Sequence, residues 1–189
     1  DWTMRWSWID RFVEFTAATR AVAVKCVSLS EPHVVDYVPG LPQLPNSLIV
    51  EGLAQTGGLL VSQTTDFRGR VVLAKVGQAT FHAPSLPGER LVYTVEIQSL
   101  QGEGAVVAGR CEVDGAVRAE VELTFAILDD RFAGVELFEP AAFLRLLRSL
   151  HLFHVGRTVA GDPVLVPEHL VAAERASGLI DDRNVSAST

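Results

Sequence analysis

Residues 47–63, "SLIVEGLAQTGGLLVSQ", constrain the fold more than any other stretch of this chain. Leu48, Ile49, Val50, Leu53, Ala54, Leu59, Leu60 and Val61 leave almost no polar face, and the run is too long for an ordinary strand. A helix that is apolar nearly all round is stable only when it is buried on all sides. Pro45 precedes it, and Asn46 or Ser47 supplies the N-cap. Gly57 and Gly58 each weaken a helix by about 1 kcal/mol relative to alanine, which predicts close packing against another backbone. A single carboxylate, Glu51, interrupts the apolar surface, and Gln55 follows it one turn later on the same face.

A buried helix needs something to surround it, and the flanking sequence offers strands. Upstream, residues 20–29 ("RAVAVKCVSL") alternate as a strand does, and residues 5–15 read as a short helical turn or a first edge strand. The prolines at 32, 39, 42 and 45 predict an extended loop between about 31 and 46. Downstream come four strand-like runs, at 71–82, 90–100, 105–113 and 116–128, joined by short turns. Asp114-Gly115 is a strong hairpin signal. The expected fold is α+β, a curved antiparallel sheet wrapped around one long central helix and occupying residues 5–130. Residues 131–178 form an extension, with an amphipathic helix opened by Pro140 that carries Phe143, Leu146, Leu147 and Leu150 opposite Arg145 and Arg148. Residues 179–189 read as a disordered tail.

Composition narrows the functional classes. A chain of 189 residues, 48% hydrophobic, can bury one sizeable core, while a net charge of −7 argues against nucleic acid as a partner. No window reaches the roughly 18 uninterrupted apolar residues of a membrane span. The N-terminal residues lack the order of a signal peptide, which predicts a cytoplasmic location. Cys26 and Cys111 lie in apolar alternating runs and read as small buried hydrophobes. His151, His154 and His169 have no metal-ligand spacing, and there is no phosphate loop or nucleophile elbow.

The stretch "DYVPGLPQLPNSLIVEGLAQ" (36–55) resembles the pattern "GHFPGxPVMPGVLIxEALAQ" of the 3-hydroxyacyl-(acyl carrier protein) dehydratases, which have the hotdog fold. Pro39, Gly40, Pro42, Pro45, Leu48, Ile49, Glu51, Leu53, Ala54 and Gln55 fall in register. So do "SEPHVV" (30–35) with "NEPFFQ", "ATFHAPSLPGERL" with "ARFRRPVVPGDQL", and "VDGAVRAEVELTFA" with "VDGELVCEAELMFA". The resemblance spans residues 20–128 and does not reach residues 131–189.

It implies a dimer in which a histidine from the loop removes the C2 proton of a 3-hydroxyacyl thioester. An acid on the helix assists loss of the 3-hydroxyl as water, and no cofactor or metal takes part. N–H groups at the helix start polarise the thioester carbonyl, because the positive dipole end favours developing enolate charge. Glu51 stands at the acid's position, and Gly40, Asn46, Ser47, Gln55, Phe81 and His82 at or beside substrate-binding positions. Two departures fall on the site: Tyr37 occupies the histidine position, and Asn46 that of the glycine at the helix start. A phenol, titrating near pH ~10, is a poorer base at neutral pH than an imidazole near ~6.5. The base is then unassigned, with His33, four residues before Tyr37, as the first candidate substitute and His82 as another.

The implied partners are an acyl thioester on acyl carrier protein or coenzyme A, and a second hotdog chain, identical or different. Arg68, Arg70, Lys75 and Arg90 are the basic residues available to an acidic carrier. Two alternatives stand beside the dehydratase. One is an acyl thioesterase, whose helix carboxylate activates water; the other is a non-catalytic partner subunit of an active dehydratase.

Overall fold

The computed structural model describes residues 7–128 and 138–178. The predicted tail, 179–189, lies outside the described residues. Seven strands form one open sheet in the order β3-β6-β5-β4-β2-β1-β7. They are β1 (Arg11–Thr16), β2 (Arg20–Cys26), β3 (Arg70–Phe81), β4 (Arg90–Gln101), β5 (Gly104–Val113), β6 (Ala116–Leu128) and β7 (Gly156–Arg157). The first six pair antiparallel, and β7 runs parallel to β1. Helix α2 (Asn46–Gln63) lies along the inner face and packs against β2 through β6. This is the α+β arrangement expected, a curved sheet around a central helix.

Strand alternation produces that inner face. Leu91, Tyr93 and Val95 on β4, Val107 and Cys111 on β5, and Val121, Leu123 and Phe125 on β6 are buried beneath α2. The residues between them, including Glu96, Arg110, Glu120 and Glu122, line a polar groove on the outer face. Each large apolar side chain so buried contributes about 1.5–3 kcal/mol, so the sheet and helix hold each other in place. At the β5–β6 turn, Asp114 and Gly115 have φ of 49° and 80°, the paired left-handed conformation of a tight hairpin.

The glycines of α2 face side chains, where packing against backbone was expected. A Cβ on Gly57 would lie 3.1 Å from the Phe125 ring, and one on Gly58 would lie 3.4 Å from it. The tightest position is Gly52, where a Cβ would come within 2.6 Å of Tyr93 Cε2.

Three local expectations are corrected. The proline-rich segment contains a short helix, α1 (Pro32–Val35), because Pro32 occupies the first turn, where no N–H is needed. Leu44 in the same segment donates its N–H to Ser85 O at 2.8 Å. Cys26 is exposed at the end of β2, whereas Cys111 is buried and its thiol is pushed up to about 12 by that burial.

Helix α2 ends in a Schellman turn, with Phe67 N–H on Ser62 O at 2.9 Å and Asp66 N–H on Gln63 O at 3.0 Å. Asp66 and Phe67 both adopt positive φ, 50° and 59°. The ring of Phe67 is held edge-on by Phe143 and Phe153 of the extension, at 6.0 and 6.1 Å.

The extension contains α3 (Pro140–Ser149), α4 (Leu152–Val155) and α5 (Glu168–Ala176). Glu139 caps α3, its carboxylate accepting from the N–H groups of Ala141 and Ala142. Phe143, Leu144, Leu147 and Leu150 are buried, and Arg148 reaches both carboxylate oxygens of Glu174 on α5 at 2.6 Å. The extension also covers the outer edge of β1. Phe12 N–H donates to Leu150 O and Ala17 N–H to Arg157 O, each at 2.8 Å. At the opposite margin of the sheet β3 pairs only with β6 among the described strands, and Leu73 and Val76 are exposed.

Candidate active site

The site is organised around the first turns of α2. Pro45 is the N-cap and has no side-chain cap to offer, so Asn46 and Ser47 lie inside the first turn, one step beyond their expected place. Leu48 N–H and Ile49 N–H turn back to Pro45 O, at 2.9 and 3.4 Å. The earlier N–H groups of a helix have no partner within it, so those of Asn46 and Ser47 present the positive end of the dipole. Gly40, at φ 79°, turns the loop that leads in, with open space around it.

One turn further on, Glu51 accepts a hydrogen bond from Gln55 Nε2 at 3.0 Å. Gln55 Oε1 accepts the main-chain N–H of Trp8 at 2.9 Å, across 47 positions of sequence. In a glutamine amide only the oxygen can accept, so this bond fixes the orientation of the amide and points its NH2 group at Glu51. The indole of Trp8 meets the ring of His33 edge to face, with centroids 4.7 Å apart. His33 Nε2 lies 3.1 Å from Glu31 Oε2, and the other oxygen of Glu31 holds Lys25 Nζ, which also donates to Cys26 O. Lys25 is only 6% exposed, so its charge is buried with a partner.

The structure therefore links Glu51, Gln55 and His33 through Trp8. Tyr37 is 51% exposed and makes no hydrogen bond to Glu51 or His33. Phe81 packs at the margin of the core. His82 pairs with Glu120, an outward residue between the buried Ala119 and Val121, so it lies across the sheet from α2. Trp8, Glu31 and Lys25 were not singled out from the sequence. Of these, only Lys25, a charge inside an apolar strand, carried a local signal.

Next to Gly52, the hydroxyl of Tyr93 is buried without a hydrogen-bond partner among the described residues. Burial pushes its pKa well up, with Cys111, Asp10 and Glu31 adding to the effect. The basic residues do not form one patch. Strand register sets Arg68 and Arg70 at one end of the sheet and Arg90 at the other, alongside Phe81. Among the described residues no cluster of three or more His, Cys, Asp or Glu could hold a metal ion. No helix among them is long and apolar enough to cross a membrane.

A family model described as a FabA-like domain matches residues 4–122. Among solved structures, the dehydratase heterocomplex ApeI:P from Xenorhabdus doucetiae is similar at a TM-score of 0.55 and 12% identity, covering 65% of this chain and 84% of that one. A hypothetical thioesterase protein with coenzyme A from Streptococcus pneumoniae gives 0.52 and 12%, covering 62% and 84%. A hot-dog-like protein from Thermanaerovibrio acidaminovorans gives 0.54 and 16%, covering 64% and 88%. At these identities the likeness is one of fold.

Proposed function

The chain belongs to the FabA-like domain family, with a hotdog fold, and on that premise we propose that it dehydrates a 3-hydroxyacyl thioester with Glu51 as the acid. The observation that carries this reading is the lone carboxylate of α2, half-buried on the one face of that helix which the sheet does not cover, one turn inside an N-terminus without a side-chain cap. His33 is the base. Glu31 accepts from Nε2–H, which leaves Nδ1 as the lone-pair nitrogen of the neutral ring. The C2–H bond breaks to this nitrogen, its electron pair forms the C2–C3 double bond, and the C3–O bond breaks. The departing hydroxyl takes the proton of Glu51 and leaves as water, while the N–H groups of Asn46 and Ser47 stabilise the partial negative charge that builds on the thioester oxygen as the C2–H bond breaks.

Within one chain Glu51 and His33 are linked only indirectly, through Gln55 and Trp8, and no direct contact between them occurs among the described residues. A complete site then takes its acid from one chain and its histidine from another, as in a dimer with a second hotdog chain. The heterocomplex similar to this chain makes a different partner a reasonable second form of that assembly, including one in which this chain is non-catalytic. The outer-face groove, with Glu96, Glu112, Glu120 and Glu122 against Arg20 and Arg110, repels an acidic carrier, so an acyl carrier protein would approach elsewhere.

The test is incubation of the purified protein with 3-hydroxybutyryl-coenzyme A and its carrier-bound counterpart, following enoyl thioester by its absorbance. Neither turnover nor binding would sink the reading. Free thiol released from an acyl thioester, and lost in Glu51→Gln, would select the thioesterase instead. That alternative is supported by a carboxylate placed to accept a proton from water without any histidine at position 37.

A further inference from the structure

Trp8 precedes the first strand and lies outside the 20–128 stretch whose motifs resemble the dehydratases, yet it contacts both Gln55, the hydrogen-bond partner of Glu51, and His33. Its main-chain N–H holds Gln55 Oε1 at 2.9 Å, and its indole packs against His33 at 4.7 Å. The first contact has a chemical consequence. A free glutamine amide beside a carboxyl group can rotate to donate or to accept, and these orientations suit different protonation patterns. With Oε1 taken by Trp8 N–H, Gln55 can only donate to Glu51, and it does so to Oε1. No other hydrogen bond to the carboxylate occurs among the described residues, so Oε2 is the oxygen left to exchange a proton with substrate.

We infer that Trp8 is a positioning residue that selects the working oxygen of its own chain's Glu51 by locking the Gln55 amide, and that its indole sets the orientation of its own chain's His33, so that in a two-chain assembly each Trp8 serves the acid of one site and the base of the other. This rests on the reading of Glu51 as the acid. The linkage is rigid at both ends, since Trp8 is largely buried and His33 is also held by Glu31. It ties the segment before β1 to α2 and α1 at once, so local disorder near the N-terminus would reach the chemistry without altering any group that touches substrate.

The test compares full-length variants in the dehydration assay. Trp8→Pro removes the N–H, Trp8→Phe keeps it with a smaller ring, and Gln55→Glu keeps an acceptor for Trp8 but loses the donor to Glu51. Small misplacements of reacting groups cost up to about 100-fold, so Trp8→Pro and Gln55→Glu are each expected to lower kcat about 10–100-fold with little change in KM. Trp8→Phe should recover most of the rate lost in Trp8→Pro. Because Trp8→Pro can also disturb folding, Gln55→Glu decides. A purely structural anchor would survive in it, with Trp8 N–H still protected from hydrogen exchange and kcat unchanged. A kcat within twofold of wild type in Gln55→Glu, while Glu51→Gln is inactive, overturns the inference and leaves the proposed function standing. Turnover that survives Glu51→Gln, or none in the wild type, overturns both.

Discussion

Gly52→Ala provides a direct test of how tightly α2 is seated. In an exposed helix alanine would gain about 1 kcal/mol over glycine. Here the new Cβ would lie 2.6 Å from Tyr93 Cε2, 2.7 Å from Cζ and 3.0 Å from the hydroxyl. Tyr93 is fully buried and pinned in the core, so the ring has no free direction in which to retreat. Overpacking of this kind costs about 1–3 kcal/mol, and contact with a fixed aromatic ring belongs at or beyond the upper end. After the helix gain, the net loss is about 2 kcal/mol, or about 4–8 °C in Tm for a chain of this size.

Gly58→Ala is the internal control. Its Cβ would meet Phe125 at 3.4 Å, an ordinary contact, so the helix gain should survive and Tm should rise by about 2–4 °C. Scanning calorimetry of both variants, with urea titration to confirm the sign, reads the difference. Tyr93→Leu in the Gly52→Ala background should recover stability relative to Tyr93→Leu alone, whereas Tyr93→Phe, which keeps the ring, should not. A Gly52→Ala protein as stable as wild type would refute the seating described.

Three further outcomes follow from particular contacts. Tyr93→Phe removes a buried hydroxyl that has no partner among the described residues, and is expected to raise unfolding free energy by about 1 kcal/mol in urea titration; a clear loss would mean that the hydroxyl is satisfied in solution. Asp66→Gly relieves a positive-φ position in the Schellman turn and should stabilise the protein by about 0.5–1 kcal/mol, whereas Asp66→Val should destabilise it, both read by Tm. His169 has its pKa lowered by burial first and by nearby Arg68 second, and its Nδ1 is buried without a partner among the described residues. The unfolded state therefore binds this proton more readily. The stability it leaves intact above pH ~6.5 is lost as pH falls through the lower folded value, so His169→Leu should flatten Tm between pH ~7 and ~5, and an unchanged slope would refute the assignment.

Much of the architecture was legible because it is written in short-range periodicity. The four long strands and α2 declare themselves through alternation and an all-round apolar run, and Asp114-Gly115 through the positive φ that its turn requires. What escaped depends on distant partners. Strand β7 is two residues long and exists only because β1 offers main-chain groups to Gly156-Arg157, so no local pattern marks it. Prolines at 32 to 45 predicted only loop, since a four-residue helix opened by Pro32 looks no different from the loop around it. At the site, Glu51 and Gln55 are one helical turn apart and their contact could be read from spacing. Trp8 meets Gln55 across 47 positions, and that contact could not. The glycines of α2 show the same division: Gly57-Gly58 attracts notice as a pair, yet Gly52, unremarkable in sequence, has the closest neighbour of the three.

The two margins of the sheet differ in their exposure to foreign strands. Along β1 the outward N–H groups of Phe12 and Ala17 are already taken by Leu150 and Arg157. A strand arriving there would have to displace the extension before it could form a ladder. Along β3 the chain from Arg70 to Phe81 is interrupted by two register shifts against β6 and carries Lys75, features that disfavour indiscriminate pairing. Accretion onto this sheet is thus directional, obstructed by tertiary structure on one side and only discouraged by bulges and charge on the other. Protein lacking residues after 138 would lose that obstruction and carry two recruiting margins instead of one.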